Sequence, residues 1–118
     1  MIGKLTGTVD QIFESFLLLD VNGVGYVVAC SQNTLRRIEG AGARISVWVE
    51  TLIRPEQITL YGFLTPLEQE VFRQLLTVQG VGGKVGLALL SALSAEDICG
   101  AIAQQDATLL TQADGVGP

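Results

Sequence analysis

The sequence predicts an α+β protein in which an all-β half precedes an all-α half. Up to residue 64, short apolar segments alternate with turn residues at strand spacing, and from residue 65 onward apolar residues recur at helical spacing. A Gly-Val-Gly motif occurs twice in the second half, at residues 80–82 and 115–117, 35 residues apart. An apolar segment leads into each copy, so the motif belongs to a repeated unit.

The first half is predicted to form five strands and one short helix. The strands fall at residues 2–9, 16–21, 26–30, 43–53 and 58–63, and the helix at 33–38. Asn22 and Gly23 predict a tight hairpin between the second and third strands, and residues 54–57 predict a turn between the last two. Five strands with one short helix favour a small closed barrel. The OB-fold is the commonest such barrel that binds oligonucleotides.

A boundary is predicted near Leu64, which gives an OB-fold barrel over residues 1–64 and a helical domain over residues 65–118. Thr65, Pro66 and Glu68 combine an N-cap, a proline at the first helical position and a capping-box acid. The helix that they open is predicted to run to residue 76, with Leu67 and Val71 on its buried face.

Three further helices are expected after the first glycine turn. One covers residues 84–93, Ser94 caps another that runs to residue 104, and Asp106 caps a short one before the second glycine turn. The chain ends at Pro118, where the second copy should open its helix. We therefore expect the sequence to be the first part of a longer protein with a truncated second motif.

The composition restricts the kinds of function. Net charge is −5, with five Lys/Arg against six Asp/Glu in residues 1–64 and two against six in residues 65–118. Because nucleic-acid binders normally carry a basic patch, any such binding must depend on backbone amides and a few placed cations. The absence of histidine removes the commonest general base and zinc ligand, so we expect no catalytic residue, metal or cofactor.

The sequence also suggests a compartment. Apolar stretches are too short to cross a bilayer and the N-terminus is predicted as a strand, so a cytoplasmic location without membrane contact is expected. Cys30 and Cys99 are isolated in the sequence, and both are expected to be buried thiols in a reducing compartment.

The repeated glycine turn is the main candidate site. A glycine turn that opens a helix exposes backbone N–H donors, which bind anions and above all phosphate. A plain interhelical turn is the alternative. The candidate phosphate-binding residues are Gly80, Val81, Gly82, Gly83 and Lys84 in the first copy, and Gly115, Val116 and Gly117 in the second. Two such sites would hold a nucleic-acid backbone without reading its sequence.

Other glycine motifs fail on spacing. A P-loop would need glycine at position 78 and Ser or Thr at 85, where the chain has Val78 and Val85, so no nucleotide hydrolysis is expected. A dinucleotide fingerprint would need glycine at 85 and a strand before the turn.

With Gly86 placed for a close helix crossing, the turn instead resembles the helix-hairpin-helix motif of DNA-binding proteins. That resemblance implies that the amides of residues 80–84 face one phosphate and that Val81 plugs the hairpin into the helix pair. Conformational freedom is expected to be needed at Gly82, where a β-branched residue should strain the turn.

Four segments, in order along the whole chain, closely resemble the RuvA family of Holliday-junction-binding subunits. They are Met1-Ile2-Gly3-Lys4-Leu5-Thr6-Gly7, Val21-Asn22-Gly23-Val24-Gly25-Tyr26, Leu60-Tyr61-Gly62-Phe63 and Gly80-Val81-Gly82-Gly83-Lys84. The resemblance implies a homotetramer, or an octamer of two such rings, around an open four-way junction. It also implies a RuvB-type ATPase motor, contacted through a C-terminal domain that this sequence lacks, and leaves room for a RuvC-type resolvase.

The resemblance also implies an acidic pin at the turn between the last two barrel strands, where carboxylates repel phosphates at the junction centre. Family members usually have two adjacent acids there. This sequence has Pro55 in one of those places and keeps only Glu56, next to an Arg54 that could contact a phosphate. An exposed polar hairpin tip without a DNA role is the alternative.

Together these features predict a non-catalytic DNA-binding protein that holds Holliday junctions open for an ATP-driven partner in recombination and repair. Three alternatives stay open at this point. They are a generic DNA-binding module without junction preference, a fragment of a glycosylase or nuclease, and a protein-interaction module favoured by the acidic balance.

Overall fold

The computed structural model describes residues 2–104. Five strands are followed along the chain by three helices, and a short helix interrupts the strands. The elements are β1 (Lys4–Ile12), β2 (Phe16–Val21), β3 (Val24–Ala29), α1 (Gln32–Arg36), β4 (Arg44–Arg54), β5 (Gln57–Phe63), α2 (Pro66–Leu75), α3 (Gly83–Ala92) and α4 (Ala95–Gln104). The strands close a barrel in the order β1-β2-β3-β5-β4. The predicted fold class, a five-stranded barrel followed by helices, is confirmed.

Alternating side chains of the strands fill the barrel. The buried residues include Leu5, Val9, Leu17, Leu19, Val28, Val47 and Val49. All neighbouring strands pair antiparallel except β3 and β5, whose short parallel pairing closes the barrel. The predicted hairpin between β2 and β3 is present, because Asn22 and Gly23 both have positive φ, at 52° and 91°, and the Gly23 amide donates to Asp20 Oδ1 at 2.7 Å.

The first strand extends beyond its predicted end at residue 9. A bulge between Val9 and Gln11 shifts the register, after which Gln11 and Ile12 continue to pair with β2. The alternation of apolar residues is interrupted at such a bulge, so the sequence pattern ends before the strand does.

A second hydrophobic cluster lies among the helices and the end of β5. It contains Phe63, Val71, Phe72, Leu75, Val81, Leu89, Leu90, Ala95 and Ile98. Phe72 is at its centre, with ring centroids 4.9 Å from Phe63 and 5.1 Å from Tyr61. A Cβ on Gly86 would lie 2.9 Å from Phe72 Cε1. The expectation of a close crossing at Gly86 is therefore confirmed.

The buried face of α2 differs from the prediction at one position. The predicted N-cap is present, since the Glu68 amide donates to Thr65 Oγ1 at 3.2 Å. Leu67, however, is 41% exposed, and Glu68 is buried in its place. Glu68 can be buried because Thr65 Oγ1 donates to Oε1 at 3.1 Å and Arg37 Nη2 lies 2.7 Å from Oε2. A buried carboxylate with these partners avoids the cost of an unpaired charge.

Polar contacts attach the helices to the barrel. Gln69 Nε2 donates to the Val49 carbonyl at 3.0 Å, and Arg73 Nε donates to Glu50 Oε1 at 3.0 Å. The Gln32 amide donates to Ser91 Oγ at 3.0 Å. With the ion pair between Arg37 and Glu68, these contacts orient the helices relative to the barrel.

The two thiols have different surroundings. Cys30 is buried in the barrel core, and desolvation raises its pKa to about 12, so the thiolate is not formed at neutral pH. Cys99 is exposed on α4, and the expectation that it is buried is wrong. The neighbouring Ile98 takes the inward-facing position of that turn.

No helix within residues 2–104 has the length and apolar character needed to span a bilayer.

Candidate nucleic-acid interface

The first glycine turn connects α2 to α3 by a sharp reversal of the chain. Gly80 has φ +87°, a conformation that L side chains rarely adopt. The next residue, Val81, is buried in the helical core, and its amide donates to the Val78 carbonyl at 3.1 Å. The expectation that Val81 anchors the hairpin is confirmed, but its amide is already used inside the turn.

The glycines at 82 and 83 have different surroundings. A Cβ on Gly83 would lie 2.4 Å from both Cζ and Oη of Tyr61, so no larger residue fits there without movement. Gly82 has φ −98° and ψ −172°, and a Cβ there would meet nothing within 4 Å. The expectation that a β-branched residue at Gly82 would strain the turn is therefore wrong. The conformational need lies at Gly80 instead. The absence of a side chain at this open position leaves the backbone accessible to a ligand.

The start of α3 presents unpaired backbone donors. Gly82 is the N-cap and has no side chain to cap the helix. Along α3, the first amide with a partner inside the helix is that of Gly86, which donates to the Gly82 carbonyl at 2.9 Å. Within residues 2–104, no backbone carbonyl accepts from the amides of residues 82–85. These four donors, one of which belongs to the buried Gly83, form with the helix dipole an anion-binding arrangement, which we call the amide cradle.

The cradle differs from the predicted set in three residues. Val85 joins it, because the first turn of any helix leaves its amides unpaired, whereas Gly80 and Val81 are not part of it. Lys84 is exposed on this same turn and adds a positive charge beside the donors. The second copy, Gly115, Val116 and Gly117, lies outside the described residues, as does Asp106.

The second candidate region is the tip of the hairpin formed by β4 and β5. Arg54 pairs with Gln57, so Pro55 and Glu56 form a two-residue turn. Arg54, Pro55 and Glu56 are all exposed. Burial along β4 falls from Val49, which is 1% exposed, to Ile53, which is 61% exposed. The tip therefore projects beyond the barrel core.

An exposed apolar pair lies just behind this tip. Ile53 on β4 and Ile58 on β5 are directly opposite each other and are 61% and 66% exposed. Sequence reasoning did not single them out, since Ile53 continues the alternation of the buried Val47 and Val49. Their exposure follows from the structure, in which the ends of β4 and β5 extend beyond the barrel core.

Two family models match this chain. The model of the RuvA N terminal domain matches residues 1–62, which is more than half of the chain. The chain belongs to the RuvA family. A second model, the SAM-like helix-hairpin-helix tandem, matches residues 72–118 and includes both glycine turns.

Individual RuvA proteins are similar over the whole chain. The Holliday junction branch migration complex subunit RuvA of Sinorhizobium fredii is 53% identical over 118 residues, and that of Rhizobium meliloti is 52% identical. In both cases the match covers 100% of this chain and 58% of the relative.

In this RuvA-family chain the two candidate regions are separate, and strand β5 runs from one towards the other. Glu56 immediately precedes β5, and Tyr61, five residues further on, is the residue of β5 that contacts the cradle at Gly83. At about 3.3 Å per residue, about 17 Å of strand separates them. Within residues 2–104, no group of three or more Cys, Asp and Glu side chains is arranged to hold a metal ion.

Proposed function

We propose that this chain is the junction-binding part of a RuvA-type subunit, which holds four-way DNA open and performs no chemistry itself. The observation that carries the proposal is the amide cradle, whose four amides have no backbone partner among residues 2–104 and begin at the sterically open Gly82. The family supports the DNA partner, since its members are named as subunits of a Holliday junction branch migration complex.

The cradle suits a phosphate backbone better than base edges. Backbone amides give position and orientation without sequence information, which a protein acting on any chromosomal crossover requires. With a net charge of −5 and no broad basic surface expected, general electrostatic attraction to DNA is weak. We infer that affinity depends on several correctly spaced phosphate contacts, which an open junction offers and a single duplex does not.

The hairpin tip would act at the centre of the junction. In a homotetramer, or an octamer of two rings, four Glu56 carboxylates would surround one axis and repel converging phosphates. The part of the subunit beyond this chain would contact a RuvB-type ATPase, and a RuvC-type resolvase would use the open face. Such a complex acts on chromosomal DNA in the cytoplasm.

The direct test compares binding to a four-way junction and to a linear duplex of equal length, without nucleotide. We expect the junction to bind at least about tenfold more tightly, because it engages more cradles at once. Equal affinities would favour the generic DNA-binding module, and no binding to either would favour the protein-interaction module.

Neutralising the tip in Glu56→Gln should lower the junction-to-duplex affinity ratio. Loss of repulsion favours closed, duplex-like DNA more than the open junction, so duplex binding is expected to strengthen about two- to fivefold while junction binding holds or rises slightly. Affinities measured at two salt concentrations check this. Glu39→Gln is the matched control, because Glu39 is exposed and precedes β4 at the end opposite the tip. If the junction-to-duplex affinity ratio of Glu56→Gln equals that of the wild type, Glu56 does not act as a pin.

Removing the charge beside the cradle in Lys84→Ala should weaken binding to all junction sequences about equally. The slope of log affinity against log salt concentration should fall by about one for each engaged cradle, since one phosphate contact is lost at each. Arg36→Ala removes the same charge from an exposed position on α1 and should leave the slope unchanged. Equal slopes for Lys84→Ala and the wild type would remove Lys84 from the interface.

A further inference from the structure

The cradle rests on the barrel through one side chain. Tyr61 of β5 reaches the first residue of α3, where a Cβ on Gly83 would be 2.4 Å from its Cζ and Oη and 3.0 Å from its Cε1. The same ring packs on Phe72 of α2, with centroids 5.1 Å apart and planes tilted by 34°. Tyr61 thus contacts both helices that flank the glycine turn.

Tyr61 is held firmly on the barrel side. Its backbone pairs with Glu50 on β4 and with Ala29 on β3, so β5 is bonded to a strand on each side at this position. Glu50 in turn receives a hydrogen bond from Arg73 of α2 at 3.0 Å. These contacts fix the backbone from which the ring extends, and packing on Phe72 holds the ring itself.

We propose that Tyr61 is a positioning residue that fixes the cradle relative to the hairpin tip and thereby contributes to selectivity for branched DNA. The inference rests on the proposed phosphate role of the cradle. One strand, β5, then carries both the tip at its start and the support of the cradle near its end. Its length of about 17 Å between Glu56 and Tyr61 corresponds to about five base-pair steps at 3.4 Å each. Because phosphates recur at every such step, engaging one particular phosphate requires a fixed distance between cradle and tip.

Gly83 is the position at which this arrangement can be shifted. Alanine at 83 keeps all four amide donors, but its Cβ must displace either the Tyr61 ring or the start of α3. The cradle can still hold a phosphate, so binding to linear duplex should survive. The spacing between cradle and tip changes, so binding to the junction should suffer.

The test is a double-mutant cycle with Gly83→Ala, Tyr61→Leu and the double variant. Leucine lacks the ring atoms that collide with a Cβ at 83. We expect each single change to lower the junction-to-duplex affinity ratio about tenfold, and the double variant to recover most of the ratio. Gly100→Ala is the control, because Gly100 is exposed on α4 and a Cβ there meets nothing within 4 Å.

A role in packing alone predicts a different pattern. In that case Gly83→Ala would lower the thermal unfolding midpoint and weaken junction and duplex binding in parallel, with their ratio unchanged in all three variants, and this result would overturn the proposal. If Tyr61→Leu does not fold, hydroxyl-radical footprinting of Gly83→Ala on the junction decides the question. Protected positions that shift along the arms support the positioning role, and an unchanged footprint overturns it.

Failure of the proposed function would be visible separately. In that case Lys84→Ala and Gly82→Asp would both leave the two affinities and their salt dependence unchanged. That result would remove the cradle as a DNA site, and the positioning role of Tyr61 with it. Intact sensitivity to Lys84→Ala combined with an unchanged ratio in Gly83→Ala would overturn the role of Tyr61 alone.

Discussion

Phe72→Ala should lower the free energy of unfolding by about 3–5 kcal/mol. Phe72 has no exposed surface, and its ring contacts Phe63 and Tyr61 of the barrel strand β5 as well as the backbone side of Gly86. Its removal leaves a cavity where β5, α2 and α3 meet, and a glycine at 86 cannot fill it. Urea denaturation followed by circular dichroism measures the loss.

Phe13→Ala is the matched control for this change. Phe13 is also an aromatic residue stacked on another, with its ring centroid 4.4 Å from that of Phe16, but it is 41% exposed. We expect its replacement to cost less than about 1.5 kcal/mol, because little apolar surface returns to water. Similar losses for the two variants would show that Phe72 is not the centre of the helical core.

Features set by neighbouring residues could be predicted from the sequence. The Asn22-Gly23 hairpin and the Thr65 cap follow from local backbone chemistry, and both are present. The inward residues of β4 follow from alternation alone. Each of these signals lies within a few residues of the element that it specifies, so tertiary packing did not have to be known.

Features that depend on distant contacts could not be predicted. Glu68 replaces Leu67 on the buried face of α2 because Arg37, 31 residues earlier, pairs with it. The strand pattern likewise could not show that Ile53 lies beyond the barrel core, since that depends on where the other strands end.

The same distinction applies to the glycine turn. Its location could be predicted from the motif, but the separate reasons for its glycines could not. Gly80 is required by its φ of +87°, whereas Gly83 is required by a tyrosine 22 residues earlier in the chain. Of these three glycines, only Gly82 has neither a positive φ nor a neighbour that a Cβ would touch.

Gly82→Asp should therefore have opposite effects on stability and on DNA binding. Gly82 is the N-cap of α3 and offers no side chain to its amides. Aspartate is a preferred N-cap, meets no steric obstacle at this position, and should stabilise the protein by a few tenths of a kcal/mol. The same carboxylate would occupy the place that we propose for the phosphate and would repel it.

The expected loss in junction affinity is on the order of 100-fold at low salt, because two like charges about 4 Å apart near a protein surface repel by several kcal/mol.

Gly82→Asn is the matched control, since asparagine has nearly the same shape and also caps helices but carries no charge. It should weaken binding far less than aspartate, and the gap between the two variants should narrow as salt is raised. Thermal unfolding and junction titrations on the same preparations separate the two effects. If Gly82→Asp binds the junction as tightly as the wild type while its stability rises, the amides of α3 are capped without consequence for DNA, and the phosphate must be held elsewhere.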